Sequence, residues 1–155
     1  MSESIAADSL PSFADVEEAA QRLRGQAVHT PLLESDELNR RVGSRVLIKP
    51  EVLQPTGSFK FRGAYNRISR IPQEDRAKGV VAYSSGNHAQ GVAAAAARLG
   101  LPATIVMPAD APTIKLQNTQ ALGAKVLTYD RYREVREEVA AQVQAETGAT
   151  IVPPY

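Results

Sequence analysis

The sequence predicts an α/β protein built on an open parallel sheet with helices on both faces. Three observations predict it. Short apolar runs recur at Val80 to Tyr83, Ala103 to Met107 and Lys125 to Tyr129. Segments with helical apolar spacing, ten to fifteen residues long, lie between them. Glycines such as Gly123 and Gly148 close these segments where a helix would end. Strands that alternate with helices of this length imply right-handed crossovers, and so parallel neighbours buried on both sides.

Each element follows from local chemistry. Ser12 and Asp15 make a capping signal, and Phe13, Val16, Ala20 and Leu23 recur at helical spacing up to Gly25. Residues 29–33 read as extended because of Pro31, and Ser35 then caps a short helix that Gly43 stops. Val46-Leu47-Ile48 reads as a buried strand. Helices are expected from Ser58 to Arg70 and from Asn87 to Leu99, on either side of the Val80 strand. A helix from Pro112 to Leu122 follows the Ala103 strand, and a charged helix from Tyr132 to Glu146 follows the Lys125 strand. Thr150 to Val152 opens another strand.

Bulk properties narrow the function. With 155 residues the chain is long enough for one compact domain that buries roughly 70% of its unfolded surface. Eighteen Lys and Arg against 17 Asp and Glu leave a net charge of +1, which gives no footprint for nucleic acid or an anionic membrane. A small-molecule partner is expected. The lack of cysteine excludes a disulfide framework and a thiolate metal cluster and suits a cytoplasmic location. Residues 1–11 lack the pattern of a secretory signal, and no run approaches the roughly 20 apolar residues of a membrane span.

Two strand-to-helix turns carry the chemistry. In open parallel sheets such turns lie on the ligand side, where helix N-termini present unpaired N–H groups. The first turn, Gly57-Ser58-Phe59-Lys60, sets an amine among Phe59, Phe61, Ala64 and Tyr65 at a helix start. Apolar surroundings and the positive end of the dipole favour the neutral amine, the form that attacks an aldehyde. The second, Ser84-Ser85-Gly86-Asn87-His88, offers hydroxyl, amide and backbone donors suited to a carboxylate. Its plainer reading is that Ser85 or Asn87 caps the next helix. The spacing around Lys60 does not match a phosphate loop, and no dinucleotide fingerprint occurs. His29 reads as structural, neither histidine has a metal-ligand partner, and Arg62 and Arg133 read as salt-bridged surface or rim groups rather than catalytic ones.

The segments His29-Thr30-Pro31-Leu32, Lys49-Pro50-Glu51, Gln54 to Ala64 and Ser84 to Gly91 together resemble the fold-type II (tryptophan synthase β-like) pyridoxal phosphate enzymes, in the branch of threonine/serine dehydratases and serine racemases. The resemblance covers about residues 27 to 155, which leaves 1–26 as a helical extension and makes the chain the N-terminal part of such a fold. It implies pyridoxal 5'-phosphate as cofactor, bound covalently by Lys60, with Phe59 near the pyridine ring and Asn87 on the 3-oxygen. It implies that Ser84, Ser85, Asn87 and His88 bind the substrate carboxylate, with Ser85 as acid/base opposite the lysine in racemases. The implied reaction is dehydration and deamination of L-threonine or L-serine to a 2-oxo acid and ammonia. Serine racemisation and 3-hydroxyaspartate dehydration are the alternatives. A homo-oligomer is expected for the complete protein. The relatives' glycine-rich phosphate loop and the Ser or Cys facing the pyridine nitrogen lie later than Tyr155. A truncated, catalytically incompetent half-domain is therefore the alternative of another class.

Overall fold

The apolar runs at the centre of the chain form one four-stranded parallel sheet in the computed structural model, which describes residues 10–154. The strands are β3 (Val80–Tyr83), β4 (Ala103–Pro108), β5 (Lys125–Tyr129) and β6 (Thr150–Ile151), in the order β5-β4-β3-β6. Their helices are α3 (Lys60–Ile68), α4 (Asn87–Leu99), α5 (Thr113–Ala121) and α6 (Arg136–Thr147).

The two-residue period of a strand divides the core. Val80, Ala82, Ile105 and Met107 point to a large cluster with Phe61 and Ile68 of α3 and Val92 and Ala96 of α4. Val81, Tyr83 and Val106 point the other way, to Ala140 of α6. Every residue of β3 is therefore buried, as a central strand covered on both faces requires.

The N-terminal part differs. Helix α1 (Phe13–Leu23) starts with the capping box that Ser12 and Asp15 predict, and α2 (Asp36–Val42) runs from the Ser35 cap to left-handed Gly43. Strand β1 (Leu33–Glu34) pairs antiparallel with β2 (Leu47–Ile48) as a separate ribbon. The expectation of a buried strand at 46–48 is corrected here. Leu47 and Ile48 are nearly half exposed, because the ribbon has two residues per strand and stands apart from the main sheet.

Two helix starts also move. Helix α3 begins at Lys60, not Ser58, because Thr56 and Gly57 are left-handed (φ 68° and 70°) and Ser58 is extended. Helix α6 begins at Arg136, not Tyr132. There the Asp130 carboxylate accepts from the Tyr132 N–H at 2.9 Å, and the Glu134 carboxylate accepts from the Asp130 N–H at 2.6 Å. These local side-chain bonds hold a turn in place of the first helical turn.

Candidate active site

Lys60 is the first residue of α3, and α4 crosses directly beneath it. The crossing is close because position 91 is glycine: a Cβ there would stand 3.1 Å from the Lys60 carbonyl carbon and 3.2 Å from both its oxygen and the Phe61 nitrogen. The Lys60 side chain is half-buried. Its Nζ donates to the Pro154 carbonyl at 2.7 Å and lies 5.3 Å from the centre of the Phe59 ring. This amine forms part of the wall of a cavity of about 420 Å³ between α3, His88 and residues 152–154.

The apolar surroundings of Lys60 are only partly those expected. Phe59 and Ala64 line the cavity, but Phe61 and Tyr65 turn into the core, where their ring centroids are 5.8 Å apart. One face of α3 builds the hydrophobic core, so the residues next to Lys60 in sequence are not all next to it in space.

His88 is buried and also lines the cavity, and its Nε2 lies 2.9 Å from the Val152 carbonyl. A carbonyl can only accept, so Nε2 carries the hydrogen. Burial pushes the His88 pKa down, and the Lys60 charge adds to that effect against the opposing Val152 bond. The ring is therefore held neutral, with a bare Nδ1.

Ser84, Ser85 and Asn87 sit on the turn into α4 and are not among the cavity's lining residues. Ser84 and Ser85 are half-buried and Asn87 is exposed. The N-cap position is Gly86, without a side-chain cap bond. The plain capping reading of Ser85 or Asn87 is thus not what the structure shows. The Ser84 hydroxyl instead accepts from the Gly86 N–H at 3.2 Å. An α-helix cannot pair the N–H groups of its own first turn, so this end of α4 is equipped to receive an anion.

The structure thus brings Lys60, Phe59 and His88 to one cavity and sets the Ser84–Asn87 turn at the start of the helix that carries His88. Sequence reasoning missed Val152, Pro153 and Pro154, whose carbonyls and rings close the cavity. The signal available was a proline pair directly after a strand. It also missed Glu51, which pairs with Arg62 at 2.6 Å; Arg133 lies 3.7 Å from Asp130, a looser pair. His29 is exposed. Among the described residues no three His, Cys, Asp or Glu side chains gather as a metal site, and no helix is long and apolar enough to cross a membrane.

A family model described as pyridoxal-phosphate dependent enzyme matches residues 23–155. The chain is 47% identical over 146 residues to L-threo-3-hydroxyaspartate ammonia-lyase of Saccharomyces cerevisiae, covering 94% of this chain and 45% of that protein. It is 46% identical over 141 residues to L-threonine ammonia-lyase of Thermotoga maritima, covering 91% of this chain and 35% of the relative. The solved structure of maize serine racemase superposes with a TM-score of 0.85 at 41% identity, over 90% of this chain and 42% of that one. The chain spans less than half the length of each.

Proposed function

The chain belongs to the pyridoxal-phosphate dependent enzyme family, and from that premise we propose that the protein converts a hydroxy amino acid, L-threonine or L-serine, to a 2-oxo acid and ammonia. The observation that carries this reading is the Lys60 amine, presented half-buried in a cavity of small-molecule size beside an uncapped helix N-terminus.

The residues present fit the cofactor. A single primary amine, flanked by an aromatic ring and apolar walls, suits an aldehyde carried on a flat ring. When bound, pyridoxal phosphate supplies that aldehyde and a ring that spreads the negative charge left by a departing α-proton. Lys60 Nζ would hold the cofactor and then take the α-proton of the substrate. Phe59 would lie against the ring, and Asn87 would donate to its 3-oxygen.

The substrate carboxylate would dock on the turn 84–88. Ser84, Ser85 and Asn87 can donate from side chain and backbone there. For His88 that role falls to its backbone N–H, since Nε2–H is already given to Val152. Ser85 would also be the second proton carrier, on the face opposite Lys60, if the protein racemises serine. The similarity to maize serine racemase favours weighing that reading. The 47% identity to a hydroxyaspartate ammonia-lyase favours weighing 3-hydroxyaspartate as a substrate.

The test is borohydride reduction of the protein with pyridoxal phosphate, followed by mass spectrometry. The expected result is one reduced adduct, on Lys60, in a protein that releases ammonia from threonine, serine or hydroxyaspartate. An adduct elsewhere, or none, overturns the assignment of Lys60. An adduct without turnover of any hydroxy amino acid supports the incompetent half-domain instead. Ser85→Ala separates the two chemistries: racemisation stops and elimination persists if Ser85 is the second proton carrier.

A further inference from the structure

Helix α3 does not secure its own beginning. Its N-cap residue, Phe59, makes no side-chain cap bond, and no acidic residue occupies the first turn. The turn before it is costly, since Thr56 is a left-handed non-glycine residue and the buried hydroxyls of Thr56 and Ser58 lack hydrogen-bond partners. Such a turn persists only if the segments on either side are held from outside.

The holding group is Glu51. Arg62, in the first turn of α3, donates to its carboxylate from Nε at 2.6 Å and from a terminal nitrogen at 2.9 Å. Buried Thr30 donates to it at 2.8 Å and buried Gln54 at 3.3 Å. Gln54 also exchanges two bonds with the Val28 backbone, at 2.9 and 2.7 Å, and Arg62 reaches the same Val28 carbonyl at 3.0 Å. Three segments therefore converge on one carboxylate, and the Glu51–Arg62 pair closes residues 51–62 into a loop that contains Lys60. Gly91 seats the same helix start from below.

We propose that Glu51 is a positioning residue for Lys60, acting through Arg62 to fix the first turn of α3 and so where the amine stands in the cavity. The proposal rests on the reading of Lys60 as the reactive amine. An ion pair that served only overall stability would affect Lys60 no more than any other core contact of α3 does.

The experiment compares Glu51→Gln and Arg62→Lys with Ile68→Val, a core change in the same helix away from the loop, in the protein as its gene encodes it. Trace acetylation of the cofactor-free protein, read by mass spectrometry, gives the reactivity of Lys60 relative to exposed Lys125. Pyridoxal phosphate titration gives cofactor affinity. All are measured well below each variant's melting temperature. The expected result is a changed Lys60 reactivity and cofactor binding weakened by about tenfold in the Glu51 and Arg62 variants, the scale of one charge-assisted hydrogen bond. Ile68→Val should lower the melting temperature with neither effect. The proposal is overturned if both loop variants track Ile68→Val once matched for melting temperature. Should Glu51→Gln not fold, Arg62→Lys, which keeps the charge and loses the fork, decides the matter alone. Should the unaltered protein form no Lys60 adduct, the cofactor reading fails, while the acetylation ratio still decides whether Glu51 positions the amine.

Discussion

The turn into α3 is held by side chains from two other segments, residues 28–30 and 51–54, whereas the turn into α4 has a glycine at its N-cap position, makes no side-chain cap bond and stays open. In the first, Glu51, Gln54 and Arg62 lock a loop that contains a left-handed threonine. In the second, the Ser84 hydroxyl accepts from the Gly86 N–H within the same turn, and Asn87 is exposed. The contrast fits the two roles proposed for these turns. A side chain that must react at a fixed point needs its backbone immobilised, while a carboxylate needs N–H groups left unclaimed. Substitutions in the closed turn should thus be expensive, and those in the open turn cheap in stability.

The largest effect is expected at Lys60. Lys60→Ala removes the amine and should abolish the borohydride-trapped adduct and all turnover, and it also loses the bond to the Pro154 carbonyl, at a cost of about 0.5–1.5 kcal/mol. Retained activity in that variant would break the comparison at its root. Next comes Gly91→Ala. Its Cβ would press on the Lys60 backbone, which cannot swing aside as a side chain can, so a cost of about 1–3 kcal/mol is expected by denaturant unfolding. Gly86→Ala is the matched control, because a Cβ there meets nothing within 4 Å. Equal losses at the two glycines would show that the turns do not differ in tightness.

Acid should distinguish the two sides as well. The Arg62 hydrogen bonds pull the Glu51 pKa from 4.5 down to about 2, against the opposing effect of burial. A depressed carboxyl contributes stability that is whole above 4.5 and lost as pH falls towards 2, on the order of 2 kcal/mol. His88 acts in a higher window. Its pKa is also lowered, so its contribution is whole above 6.5 and declines as pH falls below that. Stability measured against pH should show both steps, and Glu51→Gln should erase only the lower one.

Much of this was legible in the sequence, for reasons that specific residues make plain. Strands β3 and β5 and helix α4 begin and end where apolar runs and turn residues put them, because a buried parallel strand and its crossover helix are fixed by local pattern. The Ser84–His88 turn follows β3, so the rule that strand-to-helix turns lie on one side of such a sheet applies to it. That rule does not apply to the Lys60 turn, because the strand before it, β2, belongs to the separate antiparallel ribbon. The burial of Leu47 and Ile48 was misread, since an apolar pair does not reveal whether a third layer covers it. Glu51 and the 152–154 wall were not legible, because their partners are distant in sequence. Arg62 is 11 residues from Glu51, and Pro154 is 94 from Lys60.

The smallest effect separates the two turns most cleanly. Ser84→Ala removes a single hydrogen bond, from the Gly86 N–H at 3.2 Å, in a half-buried turn whose amide can find water once the hydroxyl is gone. The loss should be about 0.5–1.5 kcal/mol, the net value of an ordinary hydrogen bond. If the open turn serves to receive a carboxylate, the same variant should weaken binding of the hydroxy amino acid and leave cofactor affinity unchanged. Equilibrium unfolding and separate titrations of cofactor and amino acid read these quantities independently. A stability loss as large as that of Gly91→Ala, or a parallel loss of cofactor affinity, would mean that Ser84 braces the Lys60 side of the site, and the division between a closed and an open turn would fall.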